Sequence, residues 1–184
     1  MFKRSKLINY FGSPASGKTT AAFEKCAELK KQGYSVYYAS EFATDVILEG
    51  RYEALKNQRY LFVNQGKRLL KAYRKVDFVV TDCPILLNIV YARFNENSDP
   101  ELEKEIIKLH ESFENENYFL PFNAYNYKQE NRVHTAEQAL VIDGMIRDVF
   151  KECGLVYCET CKKVSDKPIQ YGKLILDYCQ NCRK

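Results

Sequence analysis

The sequence predicts an α/β protein whose mainly parallel five-stranded sheet is covered by helices on both faces, with a small separate module at the C-terminus. Three observations carry that prediction. Short apolar runs bounded by turn residues alternate with longer stretches whose apolar positions recur at helical spacing, the pattern of a sheet built from strand–helix–strand units. The first apolar run stops at a glycine-rich turn that opens directly into a helical pattern. Four of the seven cysteines lie in two Cys-x-x-Cys pairs near the end of the chain.

From the N-terminus, residues 7–11 read as a buried strand, because Leu7, Ile8, Tyr10 and Phe11 are apolar and Gly12 ends the run. Residues 19–31 read as a helix. Ala22, Phe23, Cys26, Ala27 and Leu29 share one face, Lys and Glu fill the other, and Gly33 supplies the stop. Residues 34–39, aromatic and β-branched, make the second strand. A helical region follows over 52–75 with Leu55, Tyr60, Leu61, Leu69 and Leu70 among its apolar positions, and residues 78–81 form the third strand. A further apolar helix starts near Ile85. Ser98-Asp99-Pro100 then provides a cap and a first-turn proline for a helix whose stripe is Leu102, Ile106, Leu109 and Phe113. Residues 118–122 read as the fourth strand, 135–151 as a helix capped by Thr135, and 155–157, after Gly154, as the fifth strand. The expected organisation is a core over 1–157 and an appended module over 158–184.

The chain is 46% hydrophobic and 28% charged over 184 residues, enough for one medium-sized core. It has no run of roughly 18 apolar residues that would span a membrane, and no apolar core follows the basic first residues as in a signal peptide. The expected location is the cytoplasm. The net charge of +4 suits anionic substrates without requiring nucleic acid. Cys26, Cys83 and Cys153 stand in apolar settings and read as small buried hydrophobes.

Gly12-Ser13-Pro14-Ala15-Ser16-Gly17-Lys18-Thr19 fits G-x-x-x-x-G-K-[ST], and Thr20 follows it. The chemistry follows from geometry. Glycines let backbone N–H groups converge on phosphate oxygens, and the helix that begins there adds the positive end of its dipole. Lys18 is expected to neutralise the β- and γ-phosphates of ATP, and Thr19 to ligate Mg2+.

Cys158-Glu159-Thr160-Cys161 and Cys179-Gln180-Asn181-Cys182 have the spacing of a four-cysteine zinc ribbon. Four thiolates leave no open position on the metal, so Zn2+ would be structural, with a redox dithiol pair as the rival reading. Lys162, Lys163, Lys167, Lys173, Arg183 and Lys184 surround the pairs, with Tyr171 and Tyr178 between them. Besides stabilising its own segment, such a module could meet nucleic acid or a bulky nucleotide.

With these motifs in place the sequence resembles the P-loop kinases of small molecules, the nucleoside and nucleotide kinase superfamily, especially compact members encoded by bacteriophages. The resemblance covers about residues 6–156 and implies a three-layer α/β/α P-loop NTPase core, with the host cytoplasm as location if the chain is phage-encoded. Ser40-Glu41-Phe42-Ala43-Thr44-Asp45 is similar to the acidic motif such kinases carry after the second strand. Gln65 matches a glutamine that often faces the substrate, and residues 77–84 resemble the strand that ends in an acid beside magnesium, here Asp82. Residues 132–143 look like the family's lid segment, and within the core the lid is expected over about 123–136.

The resemblance thus implies catalytic roles for Lys18, Glu41, Asp82 and Arg132, acceptor binding by Glu41 and Gln65, and Mg2+ ligation by Thr19 and Asp82. Physically, neighbouring parallel strands open their C-terminal ends onto one crevice, so Glu41 and Asp82 would face the γ-phosphate. Glu41 could accept the acceptor's hydroxyl proton or cap the following helix. A guanidinium at Arg132 could stabilise the transferred phosphoryl group or lie on the surface. His110 and His134 read as solvated or locally bonded imidazoles. Lys67, Lys71 and Lys75, with Arg68 and Arg74 alongside, read as a solvated helix face or a track for a nucleic-acid backbone.

Three functions follow. The first is transfer of the γ-phosphoryl of ATP to a nucleoside, nucleotide or related small acceptor. The second is the same chemistry on a polynucleotide or a hydroxymethyluracil-type modified base, and the third is a nucleic-acid-binding ATPase or switch. Oligomeric state is open, with a homodimer as one arrangement.

Overall fold

The computed structural model describes residues 4–122 and 134–159. Among them, five parallel strands form one sheet in the order β2 (Val36–Ala39), β3 (Phe78–Thr81), β1 (Lys6–Phe11), β4 (Asn115–Phe119), β5 (Cys158–Glu159). The central strand β1 (Lys6–Phe11) is buried from Leu7 onward, and its alternation serves two cores. Ile8 and Tyr10 face α1 (Lys18–Lys31), packing with Ala22, Cys26 and Leu29. Leu7 and Phe11 face the opposite layer, made of α3 (Gln58–Ala72), α4 (Leu87–Phe94), α5 (Pro100–Glu111) and α6 (Ala136–Glu152). This is the three-layer arrangement expected of a parallel sheet.

Several local signals act as the sequence implies. Gly33, at φ 89°, ends α1, and the Tyr34 N–H reaches the Leu29 carbonyl at 3.1 Å. The Asp99 carboxylate accepts from the Glu101 N–H at 3.0 Å, one residue after Pro100 begins α5; that bond holds the Asp99 carboxyl below its usual range. Thr135 caps α6 in a reciprocal box, whose partner is Gln138. β3 (Phe78–Thr81) coincides with the predicted third strand.

Other elements differ. The second strand is shorter than predicted, β2 (Val36–Ala39), and a helix without periodic signal, α2 (Phe42–Leu48), follows it. The helical region over 52–75 divides into a 3-10 turn, Tyr52–Lys56, and α3, because the Asn57 side chain caps the new start by accepting from the Tyr60 N–H. The fourth strand is β4 (Asn115–Phe119), three residues before the predicted one. Its polar beginning is stabilised by Asn9 of β1, fully buried, whose amide donates to Oδ1 of Asn115 at 2.9 Å and of Asn117 at 3.0 Å. Pro121, lacking an N–H, follows the last bond from Leu120 to the Phe11 carbonyl. The fifth strand is β5 (Cys158–Glu159), beyond the predicted 155–157, paired with Tyr118 and Phe119. No helix of the described residues is long and apolar enough to cross a membrane.

His110 is buried and not solvated, with Nδ1 lacking a partner, and burial lowers its pKa to about 4. The unfolded chain binds this proton near pH 6.5, so stability is lost as pH falls from about 6.5 toward 4. Thermal or urea unfolding at pH 7 and pH 5 should show an acid-side loss that is smaller by roughly 1–2 kcal/mol in His110→Leu. Equal pH slopes in the two proteins would refute it.

Candidate functional site

The crevice is set by strand register. Asn9 pairs with Thr81 and Thr81 with Ala39, so the loop after β1, Asp82 after β3 and Glu41 after β2 emerge at the same end of the sheet. Thr81 locks the middle turn: its hydroxyl donates to the Ala39 carbonyl at 2.8 Å and accepts from the Cys83 N–H at 3.1 Å.

The loop between β1 and α1 demands its glycines. A Cβ on Gly12 would stand 2.4 Å from Ser16 Oγ and 2.5 Å from the Leu120 carbonyl oxygen. Gly17, at φ 92°, turns the chain into α1, whose first turn contains no acidic residue to offset its dipole. The Ser16 N–H returns to the Ser13 carbonyl at 3.2 Å, and the Lys18 ammonium donates to that same carbonyl at 2.8 Å. The Ser13 and Ser16 hydroxyls are buried without hydrogen-bond partners. Polar atoms enclosed in this way fit a ligand rich in oxygen.

Thr19 and Asp82 meet directly, the threonine hydroxyl donating to Oδ2 at 2.5 Å. Asp82 is nearly buried, and its Oδ1 lacks a partner. A hydroxyl beside a carboxylate with an unused oxygen suits a hard divalent cation such as Mg2+. Burial, then hydrogen bonding to Asp82, pushes the Tyr38 phenol well above its usual range. Burial first, then the charges of Glu41 and Asp82, does the same to the Cys83 thiol against the opposing pull of Lys18 and Arg68. Tyr91 is raised by burial and then by Glu41. Burial, then the Lys18 charge, lowers His134, which packs against the rings of Tyr91 and Phe94 at 5.9 and 5.6 Å.

The loop residues 12–19, Asp82 and Glu41 therefore converge. Glu41 stands at the start of α2 without a side-chain cap bond, and its Oε2 accepts from Thr44 at 2.7 Å. Thr20 is exposed one residue into α1 from Thr19. Gln65 is buried, with its amide engaged on main chain: Oε1 accepts from the Phe42 N–H at 2.8 Å and Nε2 donates to the Ser40 carbonyl at 3.3 Å. Lys67, Lys71 and Lys75 are exposed. Arg68 instead turns toward Ser40 and Asp45, a departure that its three-residue spacing from Gln65 could have signalled. Tyr38 and Tyr91 carried no comparable sequence signal. Arg132 and the three cysteines Cys161, Cys179 and Cys182 lie outside the described residues, while Cys158 sits in β5. Among the described residues no group of three or more His, Cys, Asp or Glu side chains could hold a metal.

A family model described as an AAA domain matches residues 7–167. No curated protein matches at a significant level. Among solved structures, thymidylate kinase from Ehrlichia chaffeensis is similar at TM-score 0.68 and 15% identity, over 97% of this chain and 99% of that one. NadR protein in complex with NR follows at TM-score 0.66 and 15% identity, over 96% of this chain and 51% of that one. Deoxyadenosine kinase from M. mycoides with bound dATP gives 0.59 and 16%, over 97% and 100%. At such identities these likenesses establish the fold.

Gly12→Ala should weaken binding of a fluorescent ATP analogue by roughly tenfold or more and lower the melting temperature, since the methyl meets the Leu120 carbonyl oxygen as well as the Ser16 side chain, and the backbone oxygen cannot swing aside. Gly144→Ala, with open space around its Cβ in α6, is the control and should raise stability by about 0.5–1 kcal/mol. Unimpaired nucleotide binding in Gly12→Ala would remove the loop from the site.

Proposed function

The chain belongs to the AAA domain family, and from that premise we propose that it is an ATP-dependent kinase transferring the γ-phosphoryl group to a hydroxyl or phosphate of a nucleoside, nucleotide or related small acceptor. The observation that carries this reading is the Thr19–Asp82 contact of 2.5 Å beside a glycine loop whose buried Ser13 and Ser16 hydroxyls have no partner. The named activities of two structurally similar proteins, a thymidylate kinase and a deoxyadenosine kinase, support it.

In this reading the loop amides of residues 12–19 and the N-terminus of α1 bind the triphosphate, and Lys18 leaves the Ser13 carbonyl to neutralise it. Thr19 and Asp82 would hold Mg2+. Held there, the ion would supply charge neutralisation to the phosphates. Glu41 orients the acceptor hydroxyl and accepts its proton. Arg132, in the segment whose sequence resembles a lid, would add positive charge to the transferred group. The four-cysteine zinc ribbon rests on the spacing of Cys158, Cys161, Cys179 and Cys182 and serves chiefly to stabilise the C-terminal segment.

The description of the family as an AAA domain favours a second reading, an ATP-hydrolysing switch. Incubation with γ-labelled ATP and separate panels of nucleosides, nucleotides and DNA distinguishes them. Label on a small acceptor is the expected result; label retained on DNA indicates polynucleotide or modified-base phosphorylation, and phosphate release without a labelled acceptor indicates the switch. Lys18→Ala should lower turnover by about a hundredfold or more, with the melting temperature nearly unchanged. Asp82→Asn should depress the magnesium-dependent rate more than nucleotide affinity; unchanged turnover would dismiss the Mg2+ assignment. Metal analysis should find one zinc per chain, reduced in Cys161→Ser and Cys179→Ser, and metal-free protein would end the zinc reading.

A further inference from the structure

α2 has seven residues, too short to persist on its own, and no side chain of its own caps its start. The first N–H groups of any helix need partners from outside its ladder. Here the Phe42 N–H is satisfied by Gln65 Oε1 at 2.8 Å, from the middle of α3, while Gln65 Nε2 holds the Ser40 carbonyl at 3.3 Å. Arg68, on the same face of α3, completes the grip. Its Nη1 donates to Ser40 Oγ at 2.6 Å, to the Ser40 carbonyl at 3.3 Å and to the Glu41 carbonyl at 3.4 Å. Its Nη2 pairs with Asp45 of α2, and its guanidinium carbon lies 5.1 Å from the centroid of the Phe42 ring. Two side chains of α3 thus hold the main chain of residues 40–42 where β2 ends beside Asp82.

We propose that Gln65 and Arg68 are positioning residues that fix Glu41 at the acceptor side of the crevice, and that neither touches the acceptor. The inference rests on the reading of Glu41 as the group that meets the acceptor hydroxyl. Gln65 is only 2% exposed, and each end of its amide already serves a main-chain partner. Arg68 divides its guanidinium between the turn and Asp45, a geometry that a lysine ammonium cannot reproduce. Burial first, and the Glu41 charge after it, raises the pKa of Tyr38, Cys83 and Tyr91, which come from three other segments. A loosened turn would move that carboxylate without disturbing the phosphate loop.

The test combines kinetics on the acceptor found by labelling with amide hydrogen exchange on the full chain. Gln65→Ala and Arg68→Ala should lower kcat by roughly ten- to a hundredfold. KM for the acceptor and affinity for a fluorescent ATP analogue should stay within about threefold, because neither residue contacts either ligand. Gln65→Glu keeps the oxygen that accepts from Phe42 and should retain more activity than Gln65→Ala, whereas Arg68→Lys should resemble Arg68→Ala. Exchange should accelerate over residues 42–48 and not over 12–19. A raised KM at unchanged kcat would make these residues acceptor ligands and overturn the proposal. Unaltered exchange over 42–48 in both alanine variants would overturn it whatever the activity. Should the native protein label no acceptor, the kinase reading fails separately, and the exchange experiment still decides whether α3 holds the turn.

Discussion

The hydrogen bond from Thr19 to Asp82 joins the start of the first helix to the end of the third strand, and the rest of the site is arranged around that joint. It exists because parallel pairing of β1 with β3 carries both segments out of the sheet at one level. Pairing of β2 with β3 adds Glu41 to the same mouth. Each partner is also committed locally, Thr19 to the helix and Asp82 to a turn locked by Thr81. The contact therefore needs little ordering beyond what the fold already requires.

Much of this was legible in the sequence because the signals are local. The phosphate loop is a contiguous pattern, the third strand is an uninterrupted apolar run, and the caps at Asp99 and Thr135 act on N–H groups two or three residues away. What escaped depends on distant partners. Asn115 and Asn117 look unlike strand residues until Asn9, more than a hundred positions earlier, supplies the amide that pairs with them. The helix at 42–48 has too few turns for a periodic pattern, and its cap comes from residue 65.

The same division explains the roles. The turn proposed to bind phosphate through its main chain is announced by glycine, since a side chain at Gly12 would meet the Leu120 carbonyl. Residues such as Gln65 and Arg68 carry ordinary helix chemistry and reveal a function only through what they hold. A glutamine expected to face a ligand is turned inward, and an arginine grouped with solvated lysines joins it.

The asparagine ladder between β1 and β4 has a consequence beyond its own hydrogen bonds. Side chains alternate faces along a strand, so a slip of β4 by one residue would carry Asn115 and Asn117 away from Asn9 and leave a buried amide without partners, at a cost of about 1–3 kcal/mol. Alignment of β4 in turn decides where the Leu120 carbonyl stands, against the space that Gly12 leaves free. The buried amide of Asn9 and the two half-buried amides it holds therefore act as a gauge block for the glycine-rich loop, setting its clearance from within the sheet.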